Sequence, residues 1–241
     1  MKHNKSLNNL QNVIKSFKNE FKSFPKKLDR SIVTINKSES IVSSLHSIYL
    51  ELQSKRITGK GLTEKESDIL RAMLVFSASG LDSVVKQLIR DTLLEITRKN
   101  DNVQKQLEKF IEKKLKTKDS EGSDIVDIKN LANVLATPSP FERIVGIEKK
   151  ELTSGSLQSK DELLRIASIF AIEPKEICDD VEQLKDAFII RNQIIHEMDI
   201  NFESTSNRRT PRNNKEMCFY SNLLLKVGSN FIKAVKIKLE N

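Results

Sequence analysis

Tryptophan is absent from this 241-residue chain, and only two tyrosines, two cysteines, five prolines and seven glycines are present. Few turn-formers against many Leu, Ile, Lys and Glu disfavour a strand-and-turn architecture and favour helices joined by short connections, so an all-α chain with few strands or none is expected. Cys178 and Cys218 stand in unrelated contexts with no partner at metal-ligand spacing, which suggests neither a disulfide framework nor a zinc site, but reduced thiols in a cytosol. No metal or other cofactor is expected. The N-terminus lacks an apolar signal core, and no run approaches the roughly 20 apolar residues of a membrane span. The expectation is a cytoplasmic protein that is neither secreted nor membrane-bound. Gly-rich phosphate loops and recognisable Ser or Cys nucleophile motifs are also missing.

What is present begins with charge. The net charge is +8, and residues 1–60 hold 12 Lys and Arg against 4 Asp and Glu, leaving 29 against 29 in the remainder. A basic extension on a neutral body is either an electrostatic footprint for nucleic acid or a solubilising face. With 38% hydrophobic residues the chain has enough apolar material for a buried core.

Apolar residues at Leu7, Leu10, Ile14, Phe17, Phe21 and Phe24 alternate steps of three and four, which predicts an amphipathic helix ending near Pro25. A second helix is expected from Leu28 to about Ser54, with Gly59-Lys60-Gly61 breaking the pattern. Thr63 and Glu66 form a capping-box signature opening a long helix to about Lys99. Within it Leu70, Met73, Leu74, Ser77, Leu81, Val84, Val85 and Leu88 make one stripe. Gly80, costly in mid-helix, implies close approach of a neighbouring helix.

Residues 101–118 read as a charged helix, Lys118 to Ser123 as a polar break, and 125–150 as two short helices parted around Pro138 and Pro140. Lys160–Ala171 is a further short helix. Pro174 is expected to open one reaching His196 and slightly beyond, and Asn214 to Leu239 is the last. Asn201 to Asn213 has loop chemistry. The domain reading is a basic N-terminal helical extension over 1–60 packed on a helical domain over 61–241, with 101–160 inserted.

On the helix that ends near His196, Leu184, Ala187, Ile190, Ile194, Ile195 and Met198 define an apolar face, and Arg191 falls within it. A guanidinium does not escape burial by losing its proton, so the site needs a carboxylate, a phosphate or a wet interface there. Asn192, His196 and Asp199 form a polar strip beside that face. Arg191 and His196 lie about 140° apart on a regular helix. Either the helix distorts, or the arginine swings round, or two copies meet across a two-fold interface.

The segment Arg191-Asn192-Gln193-Ile194-Ile195-His196 resembles the R-x4-H signature of the HEPN superfamily, including a polar residue directly after the arginine. Upstream, Leu70-Arg71-Ala72-Met73-Leu74-Val75-Phe76-Ser77-Ala78-Ser79-Gly80-Leu81-Asp82 is similar to the small-residue helix of its RiboL-PSP-HEPN branch. The resemblance covers roughly 63–100 and 180–240. It implies a helical bundle that forms a homodimer and builds a composite, metal-independent RNA-cleaving site, in a toxin or antiviral-defence setting that can bring an antitoxin or defence-system partner. Cleavage would leave a 2′,3′-cyclic phosphate and a 5′-hydroxyl.

The residues fit that chemistry. His196 is placed to move a proton, imidazole being the side chain that titrates near neutrality. Arg191 would hold the phosphate as charge builds, and Asn192 would orient it. Asp82, at the edge of the long helix's stripe, is a candidate partner for Arg191 or His196. Arg208, Arg209, Arg212 and Lys215 follow the motif without an intervening acid and are either RNA-phosphate contacts or a solvated loop. Two alternatives stay open: a non-catalytic HEPN-like RNA-binding or partner-docking subunit, and a purely structural bundle with Arg191 salt-bridged inside one chain.

Overall fold

The computed structural model describes residues 21, 24–56, 61–118, 124–126, 128–203 and 208–240. It is an all-α bundle. A 3-10 turn, Lys26–Leu28, leads into α1 (Asp29–Ser54) and then α2 (Glu64–Lys99) and α3 (Asp101–Leu115). A small hairpin follows, β1 (Lys116–Lys118) and β2 (Asp124–Val126), then α4 (Ile128–Leu135), α5 (Pro140–Ser154), α6 (Lys160–Ile169), α7 (Pro174–Ile177), α8 (Val181–His196) and α9 (Asn214–Glu240). The helix expected over Leu7 to Pro25 lies outside the described residues except for Phe21, Phe24 and Pro25; the Phe21 and Phe24 rings meet edge to face at 5.0 Å.

The axis of the bundle is α2. Its start is fixed locally: Glu66 N–H donates to Thr63 Oγ1 at 3.2 Å and Thr63 N–H donates to Glu66 Oε2 at 2.6 Å, closing the capping box. Every member of the Leu70–Leu88 stripe is buried, and each such Leu, Met or Val contributes about 1.5–3 kcal/mol of apolar burial. Gly80 answers to a neighbour, as its mid-helix position implied. A Cβ there would stand 2.3 Å from Ser38 Oγ and 2.5 Å from Ser38 Cβ on α1, so the two backbones approach as closely as a glycine allows. The third member is α9, where a Cβ at Gly228 would stand 3.0 Å from Ile35 Cδ1 of α1 and 3.6 Å from Leu81 Cδ1 of α2. Phe231 of α9 packs edge to face on Phe170 at 5.9 Å and ties α6 into the same core.

Two local expectations are corrected. The charged helix after Asp101 stops at Leu115, and the next three residues pair antiparallel with Asp124–Val126, Lys116 opposite Val126. The helix from Pro174 is not continuous either: α7 ends at Ile177 and α8 starts at Val181. The reason lies in Asp180, whose Oδ1 accepts from Glu182 N–H at 3.0 Å and Gln183 N–H at 3.1 Å. An aspartate satisfying those orphan donors starts a new helix rather than continuing an old one. By length and composition α2 is also apolar enough over one window to cross a membrane, and 56% of that window is buried inside the bundle.

Candidate nucleic-acid cleavage site on helix α8

Helix α8 buries Leu184, Ala187, Phe188, Ile190 and Ile194 against the bundle. The apolar face stops short of its expected length, because Ile195 is 37% and Met198 63% exposed. The helix has already reached its last turn there, and among the described residues no element covers it. His196 is exposed on the solvent side, whereas Arg191 points back toward the bundle and is half-buried. Since α8 is helical from Val181 through His196, the separation of about 140° between the two persists. A single chain does not bring them together by distorting the helix.

Arg191 has an unusual set of partners for an arginine so placed. Its Nη1 donates to Asn192 Oδ1 at 2.8 Å, and among the described residues its buried Nε has no hydrogen-bond partner. Burial draws its pKa below the ordinary arginine value, against the opposing fields of Asp82 and Glu162; a guanidinium nonetheless keeps its charge. Asn192 is anchored in turn, donating from Nδ2 to the Gln158 carbonyl at 2.9 Å. The direct pairing of Asp82 with Arg191 or His196 is not formed. Asp82 accepts from Lys86 Nζ at 2.7 Å and from Leu157 N–H at 2.8 Å, and acts on Arg191 only through its field.

Beyond His196 lies a feature that sequence reasoning missed. Asp199, assigned from spacing to a polar strip beside Asn192 and His196, turns inward and is 1% exposed. Its Oδ2 accepts from Arg71 Nε at 2.7 Å and its Oδ1 from Arg212 Nη2 at 2.7 Å. Arg71 Nη2 reaches on to the Thr210 carbonyl at 2.9 Å, and Thr210 N–H returns to the Asp199 carbonyl at 2.7 Å. One signal was available: Arg71 sits among Leu70, Met73 and Leu74 on the buried stripe, so it raises the same demand for a partner that Arg191 raised.

This cluster corrects the reading of the basic loop. Arg212 is 7% exposed and held by Asp199 and Gln193, so it cannot meet RNA without breaking the cluster. Arg209 is engaged by Asp68 and by the Met198 carbonyl. Arg208 and Lys215 are exposed and remain as candidate phosphate contacts. Apolar side chains of α8 and of the chain just after it are also exposed: Ile189, Ile195, Met198 and Phe202. Among the described residues no group of three His, Cys, Asp or Glu is placed to hold a metal ion.

Comparison of the chain with protein-family models, with curated proteins and with solved structures finds no significant match.

Proposed function

We propose that this chain is an endoribonuclease of the HEPN kind, acting as a homodimer without a metal, in a toxin or antiviral-defence role. The observation that carries the reading is Arg191: a half-buried guanidinium that, among the described residues, has an orphaned Nε and no carboxylate in contact, where Arg71 and Arg212 of the same bundle each have one. A phosphate is the anion that would complete it. His196 stands on the solvent side of the same helix, so a second copy is needed to bring an imidazole and a guanidinium to one phosphate. The exposed Ile189 and Ile195 offer apolar area for that pairing.

In the reaction, the ribose 2′-oxygen attacks the adjacent phosphorus as one imidazole takes its proton. The bond from phosphorus to the 5′-oxygen breaks, and the second protomer's imidazole protonates the leaving oxygen. The products are a 2′,3′-cyclic phosphate and a 5′-hydroxyl. Arg191 holds the phosphate while negative charge builds, and Asn192 keeps the guanidinium oriented.

The test incubates wild type, Arg191→Ala and His196→Ala with total RNA in excess EDTA and maps the fragment ends. Cyclic-phosphate ends from wild type alone, with a rate loss of at least about 100-fold in each variant, are expected. Equal cleavage by His196→Ala would sink the mechanism. The exposed apolar side chains at the motif end also favour a second reading, a subunit that docks a partner on this face and binds RNA without cutting it. Salt-sensitive binding with no fragments from any of the three proteins selects that reading.

A further inference from the structure

The chain does not run on past His196 but folds back into the bundle. Met198 and Asp199 both have positive φ, 52° and 58°, a conformation that non-glycine residues adopt only when the surroundings hold them there. The hydrogen bonds identify what holds them. The Gln193 carbonyl accepts from Glu197 N–H at 3.1 Å and from Asp199 N–H at 2.9 Å, closing the helix through a left-handed turn. The Asp199 carboxylate then meets Arg71 from α2 and Arg212 from the approach to α9.

One bond connects this cluster to the motif. Arg212 Nη2, besides reaching Asp199 Oδ1, donates to Gln193 Oε1 at 2.9 Å. Gln193 is therefore held by its carbonyl through Asp199 N–H and by its side chain through Arg212. Its neighbour Asn192 is held on another side by the Gln158 carbonyl. Two consecutive residues inside the Arg191–His196 segment are thus fixed from two directions. His196 follows one turn later, and its backbone lies between Gln193 and the left-handed pair.

We propose that Asp199 is the positioning residue of this segment, acting through Arg212 and Gln193 to fix the last turn of α8 and the direction in which His196 leaves it. The catalytic consequence rests on the ribonuclease reading, but the structural content does not. Asp199 touches no reacting atom. It holds a helix end whose natural tendency is to fray, where a displacement of about 1 Å in a proton-transferring group costs on the order of 100-fold in rate.

The test compares wild type with Asp199→Asn, Arg212→Lys and Val145→Ala, by amide hydrogen exchange and by cleavage kinetics on RNA in EDTA. Asp199→Asn keeps the shape and removes the charge. Arg212→Lys keeps a cation beside Asp199 but lacks the fork that reaches Gln193 at the same time, and it carries the test where Asp199→Asn does not fold. Val145→Ala, in the buried face of α5, lowers stability away from the motif.

The expected result for Asp199→Asn and Arg212→Lys is at least tenfold faster exchange at the Glu197 and Asp199 amides, with the Lys185–Phe188 turn unchanged. kcat falls tenfold or more while KM stays within twofold. Val145→Ala leaves both kinetic constants at the wild-type value. Wild-type exchange at Glu197 and Asp199 in folded Asp199→Asn and Arg212→Lys overturns the proposal, and so does a kcat loss in Val145→Ala equal to theirs. A wild type that cuts no RNA counts against the ribonuclease reading alone, and the exchange rates then decide the proposal by themselves.

Discussion

Three ionisable groups in this bundle, two buried and one half-buried, are treated in different ways, and two of them lie eight residues apart. Asp199 receives two guanidinium groups, Arg71 on Oδ2 and Arg212 on both oxygens. Among the described residues Arg191 has only a neighbouring amide oxygen, and its Nε is orphaned. The third, Glu148 on α5, is 1% exposed with Oε1 unpartnered, and burial together with the nearby Glu151 pushes its carboxyl up to about 7. Full pairing marks a group that holds the fold. Incomplete pairing marks a group that is either tolerated at a cost or kept available for something that binds, and Arg191 differs from Glu148 in sitting beside an exposed histidine.

Breaking the complete cluster gives the largest expected effect. Asp199→Ala leaves Arg212 buried without an anion and Arg71 with only the exposed Asp68 at 3.3 Å, and should destabilise the protein by about 3–5 kcal/mol, read from urea denaturation midpoints at constant slope. Removing all three charges together, with apolar residues of similar volume, should recover most of that loss, because the desolvation of the ions disappears with their attraction. A small effect for Asp199→Ala alone would mean that the cluster is already hydrated, and the contrast with Arg191 would fail.

Glu148 sharpens the comparison through pH. Its folded-state carboxyl titrates near 7 while an unfolded glutamate titrates near 4.5, so between those values the native chain holds a proton that the unfolded chain has released. Stability from this group is therefore highest below about pH 4.5, falls as pH rises through 7, and levels off above, a total of about 3 kcal/mol. Glu148→Gln should remove that slope: little change at pH 5, and a gain approaching about 3 kcal/mol at pH 8. A pH-independent difference between the two proteins would show that Glu148 is ionised and paired.

How much of this was legible beforehand depended on range in sequence. The start of α2 was readable because Thr63 and Glu66, three residues apart, carry the whole capping box. Gly80 was readable as a close approach because a mid-helix glycine has few other justifications, although nothing in the sequence named Ser38 as its neighbour. The break before α8 was local too, but Asp180 was hidden behind a Pro174 that opens a helix equally well. The Arg71–Asp199 pair is separated by 128 residues, and no spacing rule reaches that far. The basic loop misled for the same reason: four cations without an intervening acid look solvated until the acids arrive from elsewhere in the chain, Asp68 for Arg209 and Asp199 for Arg212.

A smaller effect separates stability from function at Arg191. Arg191→Met replaces an incompletely paired guanidinium with an apolar chain of similar length, and the stability change should lie within about 1 kcal/mol of zero, on the stabilising side. Set against the loss of several kcal/mol at Asp199, this would identify Arg191 as a group the fold does not require. Loss of about 3 kcal/mol or more would show a structural arginine whose partners include the fields of Asp82 and Glu162.

The smallest effect divides the loop arginines themselves. On the RNA-cutting proposal, Arg208 and Lys215 are exposed and able to meet phosphates, whereas Arg209 is turned to Asp68 and the Met198 carbonyl. Each cation that neutralises a phosphate of single-stranded RNA contributes about 0.7 to the slope of log affinity against log salt. Arg208→Ala and Lys215→Ala should each lower that slope by about this amount, and Arg209→Ala should leave it unchanged. The measurement uses His196→Ala as the background, so that binding is read without cleavage. A slope lowered by Arg209→Ala but not by the other two would mean that the loop opens to bind RNA, releasing Arg209 from Asp68, and would place the first contact on a rearranged surface.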